Sequence, residues 1–307
     1  MRAIPRLLVS SVVRGSQQGD SHGGVYLVDI DAQSCEQVLD WNTGEIDFGG
    51  RGGDRGLRGI VIIGEEVFLA ASDELFVFDR AFRLRASYRN PYLKHAHEMW
   101  VHGGKLYVTS TGFDALLRMD LATRRFDLGI SLSVAGAAVN ASAFDPHASA
   151  GPAPVNQLHI NNVHADDQGI HVSGRNLPAL IRITRTSVGP VAVLPRGTHN
   201  ARPFRGGVLF NDTDNDAVVW ARPDARVAIP TPRYDASALA RTGEDEFGIA
   251  RQGFGRGLCV LSDTLVAAGS SPTTVAVHDL DAGRQVAAIN VTMDVRNAAH
   301  GLAVWPF

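Results

Sequence analysis

The chain repeats a short pattern of strands, and this repeat constrains its fold more than any other feature. Residues 58–69 and 97–108 both read as a short apolar strand, a turn containing glycine and a second strand of alternating apolar residues. A third and a more polar fourth strand follow each of them. The same frame starts again at His159, His199 and Arg256. Four-stranded units that recur about every 40 residues predict the blades of a β-propeller.

The last occurrence of the frame supplies only one strand, at residues 300–307. The three strands that this unit lacks are predicted near the other end of the sequence, at residues 7–12, 24–30 and 36–41. Their pairing would complete a sixth unit and remove the open edges of the ring. We therefore predict an all-β fold, with residues 1–307 forming a single domain. This domain is a six-bladed β-propeller, closed by pairing the C-terminal strand with the three N-terminal strands.

Two blades carry extra segments, at residues 131–157 and 230–252. The first is rich in alanine, serine, glycine and proline, which is typical of loops. The second could contain one or two helical turns within residues 236–241. Both segments lead into the face of the propeller where inner strands begin. Long loops on one face usually cover a functional site.

The first residue of each inner strand should point towards the propeller axis. Six residues occupy these equivalent positions: His300, Arg58, His97, His159, His199 and Arg256. Packing alone would not select four histidines and two arginines, because like-charged groups at one axis need a shared partner. By contrast, His102 and His164 lie five residues further along and are predicted to be solvent-facing or structural.

Two chemistries fit this ring. In the first, a divalent transition metal (Fe, Cu, Mn or Zn) is bound by the four histidines His97, His159, His199 and His300. Glu98, Asn161 or Asn162 could then fix the histidine tautomers, and Asp212 is a candidate for orienting His199. Arg58 and Arg256 would hold a carboxylate, phosphate or sulfate of the substrate.

In the second chemistry there is no metal. One histidine acts as nucleophile or general base, and the other histidines and arginines stabilise an anionic transition state. A third alternative is a non-catalytic propeller that binds a ligand or a protein, because a fold does not fix a function.

Of these alternatives we prefer the first, a metalloenzyme of small-molecule metabolism, an oxidoreductase or a lyase, that acts on an anionic organic substrate.

Two family resemblances add to this interpretation. Four motifs look like those of an uncharacterised bacterial family of β-propeller proteins: residues 97–100, 159–161, 199–202 and 253–258. In addition, residues 159–161 followed by Arg175, and His199 followed by residues 210–212, are similar to the propeller core of aryl-sulfate sulfotransferases.

The second resemblance implies that His199 is a transiently sulfated nucleophile. It further implies that His159, Asn161 and Arg175 hold the sulfuryl group and that His97 is an acid or base. Taking both chemistries and this resemblance together, the candidate catalytic residues are His199, His97, Glu98 and Arg175. The candidate substrate-binding residues are Arg58, Arg256, Asn161 and Arg202.

The composition limits the partners. Lys and Arg number 29 against 32 Asp and Glu, a formal net charge of −3, so nucleic acid is not expected as a partner. No apolar run approaches the roughly 20 residues of a membrane span, so no membrane partner is expected. The two cysteines are too few for a disulfide framework. These features predict a cytoplasmic protein with reduced thiols.

Overall fold

The protein consists of six antiparallel β-sheets arranged as the blades of a β-propeller. A computed structural model describes residues 3–16, 20–41, 56–136, 138–243 and 250–307. Five sheets have four strands and one has five. The predicted six-bladed architecture is confirmed. No helix in the described ranges is long and apolar enough to cross a membrane.

The blade that closes the ring joins residues from distant parts of the sequence. It contains β1 (Leu7–Val13), β2 (Gly24–Asp29), β3 (Ser34–Asp40) and β25 (Asn297–Val304), in the order β25-β1-β2-β3. Strand β25 is innermost and pairs antiparallel with β1, which places Leu7 opposite Val304. The predicted closure is therefore confirmed.

The other five blades follow one another along the chain, each from its inner to its outer strand. The first of them contains β4 (Ile60–Ile63), β5 (Glu66–Ala71), β6 (Glu74–Asp79) and β7 (Leu84–Arg89), and the second contains β8 (Met99–His102), β9 (Lys105–Ser110), β10 (Ala115–Asp120), β11 (Arg125–Ala135) and β12 (Ala138–Phe144). The third contains β13 (Ile160–Asp166), β14 (Gly169–Gly174), β15 (Leu177–Ile183) and β16 (Val188–Val193), and the fourth contains β17 (Thr198–Phe204), β18 (Gly207–Asp212), β19 (Ala217–Ala221) and β20 (Arg226–Pro230). The fifth contains β21 (Gly253–Val260), β22 (Leu265–Ser271), β23 (Thr274–Asp279) and β24 (Arg284–Asn290).

The core lies between neighbouring blades, because each sheet has apolar side chains on both faces. Strands β5 and β6 are almost entirely buried, whereas the outer strand β7 is mostly exposed. Trp305, which follows β25, stacks on Phe82 of the next blade with ring centroids 5.7 Å apart. Trp41 packs in the same cluster and is fully buried. These aromatic contacts join the closing blade to its neighbour.

The first predicted loop segment is partly a strand. Residues 131–135 extend β11, and β12 pairs with them as a fifth, outermost strand. Alanine and serine suggested a loop, yet small residues fit an exposed edge strand. Gly129 lies directly opposite Phe144, and a Cβ at this position would force the phenyl ring to move. The segment therefore widens one blade.

The second segment contains a single 3₁₀ turn at Ala236–Ala238. Asp235 caps this turn by accepting a hydrogen bond from the Ser237 backbone N–H. The predicted helical content is thus reduced to one short turn. The part of this segment at residues 244–249 lies outside the described residues.

Candidate functional site

The six residues predicted to face the axis all lie near the start of an inner strand. Each is within four residues of where β4, β8, β13, β17, β21 or β25 begins. The ring of His97 has its centroid 5.3 Å from that of His159 and 5.5 Å from that of His300. Nη1 of Arg256 donates a hydrogen bond to Nε2 of His300 at 2.9 Å. Four separate blades thus contribute side chains to one cluster.

His199 and Arg58 belong to the same group through their electrostatic interactions. The charges of Arg256 and of a protonated His159 both act on His199. The charge of Arg58 acts on His97 and His300. We call the set of six residues His97, His159, His199, His300, Arg58 and Arg256 the axial cluster.

Local acceptors fix the tautomers of two histidines in the same way. Nδ1 of His97 lies 2.7 Å from the His95 carbonyl oxygen and 2.8 Å from Thr111 Oγ1. Nδ1 of His199 lies 3.0 Å from the Gly197 carbonyl oxygen and 2.9 Å from Thr213 Oγ1. A carbonyl oxygen only accepts, so Nδ1 carries the proton in both rings. Nε2 of each ring therefore has a free lone pair.

The two threonines also connect neighbouring blades. Thr111 Oγ1 donates to the Ile160 carbonyl oxygen at the start of β13. Thr213 Oγ1 donates to the Gly255 carbonyl oxygen of β21 at 2.7 Å. Each threonine lies 14 residues after its histidine. Histidine orientation and blade packing therefore depend on the same hydroxyl groups.

His159 is oriented differently. Its Nδ1 lies 3.0 Å from Asn156 Oδ1, and its backbone has a positive φ of 53°. Fourteen residues further on, Ser173 takes the place of threonine, and its buried Oγ has no hydrogen-bond partner. The donor to Asn156 is again Nδ1–H, so Nε2 of His159 also presents a lone pair.

Burial and neighbouring arginines keep the four imidazoles neutral. Burial lowers the pKa of His159 to about 4, and the charges of Arg256 and Arg58 contribute. The pKa values of the other three are well below the usual histidine value, again mainly because of burial: His97, His199 and His300. At neutral pH the cluster therefore contains neutral rings beside cationic guanidinium groups.

Arg256 is the central cation of the cluster. Its buried Nε has no hydrogen-bond partner among the described residues, and its guanidinium carbon lies 4.7 Å from the centroid of the Phe254 ring. Within the described ranges, no carboxylate lies at ion-pair distance from Arg256. Burial lowers its pKa, and the charges of Arg14 and Arg58 lower it further. Among the described residues, this guanidinium therefore has no carboxylate as a counter-ion.

The predicted substrate-binding and catalytic residues outside the axial cluster lie further apart from one another. Arg175 is exposed, and its charge still acts on His159 and His199. Asn161 is buried, with Nδ2 donating to the Thr198 carbonyl oxygen at 3.0 Å. Its Oδ1 is buried without a partner. Arg175 thus lies towards solvent, and Asn161 bridges two neighbouring inner strands.

Glu98, which directly precedes β8, and Arg202 of β17 lie in the central channel. They line a cavity of about 360 Å³ together with side chains from all six blades. Glu98 Oε1 accepts a hydrogen bond from Asn200 Nδ2 at 2.8 Å, and burial raises the Glu98 pKa to about 8. Arg202 donates to the Leu258 carbonyl oxygen and lies 5.3 Å from the Trp100 ring centroid.

The residues predicted to fix the histidine tautomers have other partners. Glu98 bonds to Asn200, and Asn162 donates to the Ala201 carbonyl oxygen. Asp212 accepts hydrogen bonds from Asn215 and Arg226 rather than from His199. These predictions were wrong because the chain places its own carbonyl groups and the two threonines closer to the rings. The paired spacing of histidine and threonine is the sequence signal that could have identified them.

The spacing of ligand atoms bears on metal binding. Three tetrahedral zinc ligands at about 2.0–2.2 Å from the ion lie roughly 3.3–3.5 Å apart. In the described part of the chain, the group whose ligand atoms all lie within 4.8 Å of one another is His164, Asp166 and His171. A His/Asp group that could hold a metal therefore exists, and it lies outside the axial cluster. In the axial cluster, Nε2 of His97, His159 and His199 presents a lone pair, but the ligand atoms of this cluster are not grouped as closely.

The fold and the site together define a six-bladed β-propeller with an axial cluster of histidines and arginines. No protein-family model and no curated protein matches the chain. A solved chain of a nidogen/laminin complex aligns with 97% of this chain and 97% of its own length, at 8% identity and a TM-score of 0.59. A protein of unknown function from Bacteroides caccae aligns over 97% and 98%, at 12% identity and a TM-score of 0.56.

These two similarities support the fold alone. The second is consistent with the resemblance to uncharacterised propeller proteins. AztD from Citrobacter koseri aligns over 94% of this chain and 82% of its own, at 12% identity. Its TM-score of 0.48 is too low to support an argument.

Proposed function

We propose that this protein is an enzyme that binds a small anionic organic molecule at the axial cluster, with Arg256 and Arg58 holding the anionic group. The observation that carries this proposal is the partly buried Arg256 guanidinium, which donates to neutral His300 and has no carboxylate at ion-pair distance in the described structure. A buried cation without a counter-ion is costly. A bound carboxylate, phosphate or sulfate would remove this cost.

The charges of the surrounding residues support an anionic ligand. Arg14, Arg58 and Arg175 all act on Arg256 as like charges. Glu98 is the nearby acidic group that interacts with Arg256, and its pKa of about 8 makes it mostly neutral at pH 7. Counting the described residues, the cluster thus has a net positive charge at neutral pH. Guanidinium groups bind carboxylate and phosphate through paired hydrogen bonds.

The histidines would supply the chemistry. His199 Nε2 is buried, has no hydrogen-bond partner and carries a lone pair, because Nδ1 donates to Gly197 and Thr213. Such a nitrogen can remove a proton from a bound substrate or attack it. His97 has the same tautomer and could act as the second acid or base.

A divalent transition metal at the axial cluster is the second candidate, favoured by the free Nε2 atoms of His97, His159 and His199. A bound ion would act as Lewis acid or redox centre. Nδ1 of each ring is already held by a local acceptor, as in histidine ligands generally. The wide spacing and the two arginines oppose a bare cation, so an anionic substrate would have to accompany the ion. Metal analysis of the wild-type protein beside His159→Gln separates this candidate from the first, since only an ion bound in the axial cluster should be lost from that variant.

A third candidate is sulfuryl transfer through His199, favoured by its unpartnered Nε2. Incubation with an aryl sulfate should then leave one sulfuryl group on a peptide that contains residue 199, as measured by mass spectrometry. His199→Gln should abolish this mass increment, whereas His102→Gln should retain it. An unmodified wild-type peptide would exclude this candidate.

The main proposal is tested by anion binding. Inorganic sulfate, inorganic phosphate and malonate are titrated into the full chain by calorimetry, with Arg256→Gln as the test variant. Hydrogen bonds to charged groups contribute about 1.5–3 kcal/mol, so affinity should fall at least about tenfold. Arg205→Gln is the matched control, because Arg205 forms an ion pair with Asp281 away from the axis. Equal binding by all three proteins, or no binding by wild type, would contradict the proposal.

A further inference from the structure

The hairpin between β13 and β14 places three metal-ligating side chains together, at the opposite end of β13 from His159. His164 and His171 are directly opposite each other in the antiparallel pair. Asp166 lies two residues after His164 and therefore on the same face of β13. Asp166 Oδ2 is 3.5 Å from His164 Nε2 and 3.8 Å from His171 Nδ1.

These separations suit a metal ion better than hydrogen bonds. Both nitrogen–oxygen distances exceed the usual 2.7–3.2 Å of a hydrogen bond. They are close to the roughly 3.3–3.5 Å that separates ligand atoms around tetrahedral zinc. All three ligand atoms lie within 4.8 Å of one another, so small side-chain rotations would bring them to ligand spacing.

The two imidazoles are also in a suitable state. Nδ1 of His171 is buried and has no hydrogen-bond partner, and the side chain is only 2% exposed. Burial lowers the pKa of His164 to about 4 and also lowers that of His171. Both rings are therefore neutral at pH 7, which is the form that binds metals. Asp166 is about one third exposed (34%), so solvent can reach the group.

We propose that His164, Asp166 and His171 bind a divalent transition metal such as Zn²⁺, with three protein ligands and one open position. This site is distinct from the axial cluster, because His164 lies five residues after His159, which corresponds to roughly 16 Å along an extended strand. The charges of Arg202 and Arg182 act on the two histidines. The single carboxylate of Asp166 must therefore offset much of the ion's charge.

Calorimetric titration of the metal-free full chain with Zn²⁺ tests the proposal. Asp166→Asn keeps the shape of the side chain and removes its charge, and His171→Gln removes a ligand. Each should weaken binding at this site at least about tenfold, the scale seen when groups supporting a metal site are lost. His102→Gln is the control, since His102 contacts exposed Asp167 at the same end of the propeller. It should bind Zn²⁺ as wild type does.

Trp100 gives an independent local readout. Its ring centroid lies 4.3 Å from that of His164, so bound Cu²⁺ should quench its fluorescence. Trp100→Phe should abolish most of this quenching, and Asp166→Asn should shift it to higher Cu²⁺ concentrations. Circular dichroism and thermal unfolding of Asp166→Asn establish that this variant is folded.

The opposite results would overturn the inference. If Asp166→Asn and His171→Gln bind Zn²⁺ as wild type does, these residues are not ligands. If His159→Gln abolishes all Zn²⁺ binding, the ion is bound at the axial cluster instead. An absence of Zn²⁺ binding to the wild-type chain would also refute the proposal.

Discussion

Arg256 donates a hydrogen bond to Nε2 of His300 across 2.9 Å, so a guanidinium is bound here by a neutral ring rather than by a carboxylate. The two residues come from neighbouring inner strands, β21 and β25. The ring accepts with Nε2 and must carry its proton on Nδ1, which is buried without a partner. An anion that reaches Arg256 would also favour protonation of the adjacent histidines.

Anion binding should therefore be accompanied by proton uptake. Burial and Arg256 hold the pKa of His159 at about 4 in the free protein, and an adjacent negative charge raises it. Anion affinity should increase as the pH falls from 8 to 6. Calorimetry at pH 6 in two buffers of different ionisation enthalpy measures the uptake, and identical heats in both buffers would rule it out.

The hydroxyl group of Thr213 should stabilise both His199 and the blade interface. Thr213→Val leaves the buried Gly255 carbonyl without its donor and removes one acceptor from His199 Nδ1. We expect a loss of about 1–3 kcal/mol in the free energy of unfolding, measured with urea. Thr123→Val, on an exposed turn, is the control and should lose less than half as much. Equal losses would show that Thr213 has no special role.

Stability should fall on the acid side because several histidines have lowered pKa values. Histidine side chains in the unfolded chain have a pKa of about 6.5. In the folded chain, the pKa values of His159, His164 and His278 are about 4. Their stabilising contribution is thus present above pH 6.5 and is lost as the pH falls towards 4. Each contributes a slope of up to about 1.4 kcal/mol per pH unit. Urea unfolding between pH 4 and 7 measures this slope, and a flat profile would contradict it.

Glu98 should make the free energy of unfolding decrease as the pH rises, the opposite of the effect of the histidines. Its folded pKa of about 8 is above the usual value of 4.5, so the folded chain holds the proton more tightly than the unfolded chain. Its contribution is complete below pH 4.5 and is lost as the pH rises to 8. Glu98→Gln, which keeps an acceptor for Asn200, should flatten the stability profile in this range. A variant profile parallel to that of wild type would show that Glu98 is already ionised.

Closure of the ring should depend on Trp305. Its side chain is 8% exposed and stacks on Phe82, and burial of a large aromatic ring contributes about 3–5 kcal/mol. Trp305→Ala should therefore lower the free energy of unfolding by several kcal/mol. Val193→Ala, at an 89% exposed position, should change it by about 0.5 kcal/mol or less. Similar losses in both variants would indicate that the stacking on Phe82 is not important.

The sequence predicted the blades and the axial residues because both follow from periodicity. An alternating strand pattern places every second residue on one face, and the repeat then aligns residues such as His97 and His199 from one blade to the next. The closing strand was predictable for the same reason, since the frame at residue 300 was incomplete.

Contacts between repeats were not predictable in this way. Thr213 orients His199 and also donates a hydrogen bond to the Gly255 carbonyl oxygen in the next blade. Predicting this pair of contacts requires the distance between two sheets, which a sequence repeat does not give. The fifth strand, β12, was missed because its small residues resemble a loop in composition. His171 was missed because it faces His164 from the other strand of a hairpin. The two-residue turn and the seven-residue separation of the two histidines in the sequence would have predicted that pairing.

The pairing of β25 with β1 also affects when the axial cluster can form. His300 lies on the strand that is synthesised after the other 24 strands of the propeller. A partial chain on the ribosome can build complete blades while the arginine at position 256 still lacks its imidazole acceptor. The proposed anion affinity would thus arise only once the ring has closed, and a chain truncated before this strand is expected to fold in part without gaining it.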